Sequence, residues 1–118
     1  MQKLSAEDRR SAKSLAAVAY SMSKNYAAAD KLYEELLAEL DNHIIRYNYA
    51  RGLYLEGRAE DSLAQLQPII DQVPAAKPAA VAALMKLGRE NDVRRLLKGE
   101  LDDEKIEELI SAIKEKTK

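Results

Sequence analysis

Three residues near the middle of the chain are of the types that anchor other molecules: Tyr47, Arg51 and Tyr54. Their spacing, i, i+4 and i+7, puts them on one face of a helix. Aromatic and guanidinium side chains carry much of the energy of recognition sites, because each joins a broad apolar body to a polar tip. Bond-making chemistry has thinner support. The only histidine, His43, sits beside Asp41 and Asn42 in what reads as a loop between helices, with no partner set for a metal or a proton transfer. There is no cysteine, which excludes thiolate ligands, a cysteine nucleophile and disulfides together. A glycine-rich phosphate loop and an activated serine context are also missing. The expectation is a protein without catalytic residues, metal or cofactor, whose work is binding.

Charge narrows the partners. Lys and Arg number 19 against 20 Asp and Glu, a net of −1, so no global field draws in a nucleic-acid backbone or an anionic membrane. The run "KLGRENDVRRLLK" has a local positive excess, from Lys86, Arg89, Arg94, Arg95 and Lys98 against Glu90 and Asp92, and reads as a solvated face. No apolar run approaches the roughly 20 residues that span a bilayer, and the opening "MQKLSAEDRR" lacks a secretory apolar core, so a cytoplasmic location is expected.

The elements that must carry these residues are helices. With 47% apolar and 33% charged residues, no Phe, no Trp and few Gly or Pro, the 118 residues have the composition of one all-α domain. Ser5 is a candidate N-cap, and the apolar spacing predicts helices over 6–23 and 26–40. Further helices are predicted over 44–56 and 59–72, then up to Leu87, over 90–98, and over 103–116 behind Asp102 as N-cap. Gly57 and Gly88 supply the residues that stop helices, each followed by Arg, and the tight turns pair the helices into antiparallel hairpins over about 6–40, 44–72 and 76–98. The hairpins recur roughly every 31 to 34 residues, the period of helix-turn-helix arrays. Helix 103–116, apolar only at Ile106, Leu109, Ile110 and Ile113, has the pattern of a terminal cap.

These slots resemble the tetratricopeptide repeat family. In the first hairpin the similarity rests on Tyr20, Tyr26, Ala29 and Tyr33. The second carries it in Tyr49-Ala50, Leu53, Gly57, Ser62, Leu66 and Pro74; the third, more weakly, in Ala80-Val81, Leu84, Gly88 and Val93. The resemblance implies a right-handed α-solenoid of three hairpins and a capping helix, about seven helices in all, with Tyr20, Tyr33 and Tyr49 in packing positions. It also implies a concave groove lined by the first helix of each hairpin: Ser14, Val18, Ser21 and Met22, then Tyr47, Asn48, Arg51, Tyr54 and Leu55, then Ala82, Met85 and Lys86. Of the family's carboxylate clamp only Asn48 is matched, since Ser14, Val18, Ala75 and Ala79 occupy the other places. The expected function is therefore a non-enzymatic interaction module, adaptor or co-chaperone-like, whose groove takes a peptide with apolar anchors. The alternative is a structural self-assembly unit forming homo-oligomers through its terminal helix or groove.

Overall fold

Three of the predicted helix starts have a side chain positioned to begin them. Ser5 Oγ accepts from the Asp8 amide at 3.0 Å, Asn42 Oδ1 accepts from Ile44 and Ile45 at 2.8 and 3.1 Å, and Asp102 Oδ1 accepts from Lys105 at 2.8 Å. These bonds satisfy amide donors that the first turn leaves without partners. The computed structural model describes residues 5–116 and contains seven α-helices with no strand among them. They are α1 (Ala6–Met22), α2 (Tyr26–Glu39), α3 (His43–Leu55), α4 (Ala59–Leu66), α5 (Ala76–Lys86), α6 (Glu90–Leu97) and α7 (Asp103–Lys116). None of them is long and apolar enough to cross a membrane.

Two expectations are corrected. The helix expected over 59–72 ends as α-helix at Leu66 and passes into a single 3-10 turn, Gln67–Ile69. Pro68 is the cause: it has no amide to donate to the preceding turn, and its ring crowds the carbonyl there. His43 is the first residue of α3 rather than a loop residue, because Asn42 caps the helix one position earlier than the apolar pattern suggests. His43 is exposed, and no cluster able to hold a metal ion occurs among the described residues.

The hairpin turns share one backbone device. At Gly57 (φ 91°) the Gly57 amide reaches Tyr54 O at 3.0 Å and the Arg58 amide reaches Leu53 O at 2.9 Å. Gly88 (φ 73°) and Arg89 repeat the pair on Met85 and Leu84, at 3.0 and 2.9 Å. In the first hairpin Lys24 takes the left-handed conformation instead (φ 66°), at a cost glycine avoids.

The arginines explain the second half of each Gly-Arg pair. Arg58 bonds Asp61 at 2.8 Å on its own hairpin and Asp30 at 2.8 Å on the hairpin before. Arg89 does the same with Asp92 at 2.7 Å and Glu60 at 3.4 Å. The equivalent position in the first hairpin, which follows no other hairpin among the described residues, is Asn25. Such exposed bridges contribute about 0.2–1 kcal/mol each, so their main effect is to fix how one hairpin sits on the next.

The helices form two layers. α1, α3, α5 and α7 touch in succession, and α2, α4 and α6 each join the odd helix before them to the odd helix after. No Cα of α2, α4 or α6 lies within 8 Å of a Cα in another of the three. The molecule measures 60 × 28 × 17 Å. Its radius of gyration, 16.3 Å, exceeds the value of about 13.5 Å expected of a compact domain this long. Two cores run along it. The first joins Ala17, Ala29, Tyr33, Leu36, Ile45, Tyr49 and Leu53; the second runs from Ala50 through α4, α5 and α6 to Ile106 and Ile110.

Candidate functional site

Each odd-numbered helix buries one side and leaves a stripe of another in solvent. On α1 that stripe is Leu15, Val18 and Met22, with Leu15 73% and Met22 77% exposed. On α3 it is Ile44, Asn48, Arg51 and Leu55, of which Ile44 and Leu55 are 59% and 61% exposed. Scattered apolar residues on a surface need no explanation, but these recur at helical spacing on neighbouring helices of one layer.

Further along, the layer opens into a groove of about 830 Å³ between α3, α5 and α7. Its apolar lining comes from Tyr54, Pro78, Val81, Ala82, Met85, Leu109 and Ile113. Sequence and packing make this hollow together. α5 is rich in alanine, so its surface lies low, while Tyr54, Leu109 and Ile113 stand half-buried on either side of it. Two ion pairs frame it, Lys77 with Glu100 and Lys114 with Glu90, the latter at 3.0 Å. Lys86 also lines the groove and pairs with no carboxylate among the described residues.

Of the residues expected in a groove, this one brings together Tyr54, Ala82, Met85 and Lys86. Met22, Arg51 and Leu55 are exposed elsewhere on the layer, and Ser14, Val18 and Asn48 are half-buried there. Tyr47 is also half-buried, packed against the second core with the Arg51 guanidinium 5.9 Å from its ring centre. Ser21 is corrected: it is only 6% exposed, at the contact of α1 with α3, and offers a ligand no surface. A second correction concerns Tyr20, expected to pack and found 41% exposed. Leu109 and Ile113 were expected only as the buried stripe of a cap, and Leu15 and Ile44 were not singled out for the groove at all. The signal for Ile44 was available, since it extends the Asn48, Arg51, Leu55 series by one helical step.

Tyr33 and Tyr49 behave differently from Tyr47 and Tyr54. They are 1% and 7% exposed and stack on each other, ring centres 5.2 Å apart at 22°. Burial pushes both phenols up to about 12, so both stay neutral and act as packing groups.

Compared with known proteins, the chain matches no family model, no curated protein and no solved structure.

Proposed function

We propose that the chain is a non-enzymatic interaction module that captures a peptide segment of a partner protein along its odd-helix layer. The observation that carries this reading is the groove of about 830 Å³ with its largely apolar lining. A concave apolar surface with a few convergent polar groups is the usual form of a recognition site. The layer contacts support a solenoid of the tetratricopeptide type: odd helices that touch, beside even helices that stand apart, bend an array toward the odd side. In that reading α7 caps the array and supplies one wall of the groove.

The test is site-specific photo-crosslinking in native extract, with a photoreactive phenylalanine at Met85 on the odd layer or at exposed Ala38 on α2. Met85 should give a discrete adduct that Ala38 does not. Equal labelling from both positions, or none from Met85, overturns the reading. Self-association is the second reading, favoured by the exposed Leu15, Met22, Ile44 and Leu55. Sedimentation from micromolar to near-millimolar concentration separates the two, because a protein that stays monomeric does not assemble through those residues.

A further inference from the structure

The odd layer has a charge pattern that the chain as a whole does not. Its solvent stripes are Leu15, Val18 and Met22 on α1; Ile44, Asn48, Arg51 and Leu55 on α3; Pro78, Ala82, Met85 and Lys86 on α5; and Lys105, Leu109, Ala112 and Lys116 on α7. The helices of this layer, α1, α3, α5 and α7, together carry ten Lys and Arg against seven Asp and Glu, and α2, α4 and α6 carry three against eight, in a chain where acids outnumber bases. The two glutamates that line the groove, Glu90 and Glu100, are neutralised by Lys114 and Lys77. Arg51, Lys86, Lys105 and Lys116, all exposed on this layer, have no carboxylate partner among the described residues.

Resting on the groove reading above, we infer that the partner segment is acidic as well as apolar: aliphatic or aromatic anchors, with aspartate or glutamate side chains spread between them. The spacing of the cations sets this form. They are distributed over α3, α5 and α7 with apolar residues between, so one terminal carboxylate reaches only one of them, and carboxylates spaced along the segment reach several. A partner of this kind removes the like-charge excess of the layer while its anchors fill the hollow, and a basic segment of equal hydrophobicity meets uncompensated repulsion. A flat anionic bilayer supplies the charge, but no anchor that enters the groove.

The experiment uses the full chain and labelled synthetic peptides of about 15 residues, long enough to cross three helices at 8–10 Å per step. One peptide combines leucine with glutamate, a second replaces every glutamate by lysine, and a third replaces every leucine by serine. Fluorescence anisotropy should show the leucine–glutamate peptide binding at least about tenfold more tightly than either of the others, with affinity falling as salt is raised. The double variant Arg51→Glu, Lys86→Glu changes two exposed side chains, should melt as the parent does, and should invert the preference toward the lysine peptide. If the two leucine peptides bind alike, the acidic inference is overturned and the groove reading stands. If the serine peptide binds as well as the leucine–glutamate one, or if no peptide binds, both are overturned. Vesicles of phosphatidylserine that bind the chain while the leucine–glutamate peptide does not compete would also overturn the inference, in favour of a membrane surface.

Discussion

The first hairpin and the last helix are built of different materials. At the N-terminal end the core is built around two stacked tyrosines, and α1 still turns Leu15 and Met22 to solvent. At the C-terminal end the core is aliphatic, and α7 buries Ile106 and Ile110 at 2% exposure each behind a charged outer surface. A helix that only terminates an array needs one apolar stripe and charge everywhere else. α7 meets that description except where Leu109 and Ile113 line the groove, and α1 does not meet it. Exposed large apolar residues therefore gather on α1 and α3, while α7 has none among its described residues.

The largest test of this asymmetry removes α7. A chain ending at Gly99 loses buried Ile106 and Ile110 and half-buried Leu109 and Ile113, and it bares Val93 and Leu97. At roughly 1.5–3 kcal/mol for a fully buried aliphatic, the loss is about 5 kcal/mol or more, which consumes much of a small domain's stability. Urea unfolding should show the C-terminal core melting first or cooperativity lost; a truncated chain that unfolds like the parent contradicts the capping role. Next in size is Tyr33→Ala, expected to cost about 3–5 kcal/mol, because the ring is fully buried and stacked. Tyr54→Ala, at a half-buried ring on the groove wall, should cost about 1–2 kcal/mol. Thermal melts that rank the two in the opposite order would break the distinction between a core of rings and a groove with a ring at its edge.

A finer difference lies in how closely the odd helices approach. At the α1–α3 contact a Cβ on Gly52 would sit 2.9 Å from Ser21 Oγ, and that hydroxyl has no hydrogen-bond partner among the described residues. Gly52→Ala alone should therefore destabilise by about 1 kcal/mol or more, the overpacking outweighing the better helix propensity. In a Ser21→Ala background the nearest atoms to the new Cβ are Ser21 Cβ at 3.7 Å and Tyr33 Cε2 at 3.9 Å, which is ordinary contact. There the same substitution should stabilise by about 1 kcal/mol, since alanine replaces glycine in a helix interior. A double-mutant cycle measures the change of sign, and additive effects would show that the helices do not meet through this pair.

These particulars mark how far the sequence carries. Helix ends were legible wherever a side chain makes them: Ser5, Asn42 and Asp102 cap, and Gly57 and Gly88 stop. The overrun past Leu66 came from weighing the apolar series Leu63, Leu66, Ile69, Ile70 above Pro68, whose missing amide decides the local geometry. Gly52 was visible as a glycine inside a helix, a placement that costs about 1 kcal/mol and asks for a reason, but the reason is a contact with a residue 31 positions away. Half of the groove was legible beforehand, Tyr54 from one-helix spacing and Ala82, Met85 and Lys86 from what the family resemblance implies. The other wall was not, because Leu109 and Ile113 share their stripe with buried Ile106 and Ile110, and only the angle between α5 and α7 separates lining from core.

The smallest effect expected is electrostatic, and it opposes the two ends in sign. Asp30, between the first and second hairpins, has its carboxyl raised above the ordinary 3.8, first by burial and then by the nearby Glu56, against the lowering effect of Arg58. Its folded state favours the proton, so the contribution to stability is present below the ordinary value and is lost as pH rises through the raised one. Glu107, on α7, is held below its ordinary 4.5 chiefly by its hydrogen bonds from Arg94, at 2.8 and 2.9 Å. Its contribution is present above the ordinary value and is lost as pH falls through the lowered one. Urea midpoints measured between about pH 3 and pH 6 should therefore diverge in opposite directions. Relative to Asp30→Asn the parent should lose stability as pH rises, and relative to Glu107→Gln it should gain. Slopes of the same sign would mean that the junction after the first hairpin and the seam under α7 are electrostatically alike, and that the contrast between the two ends resides in packing alone.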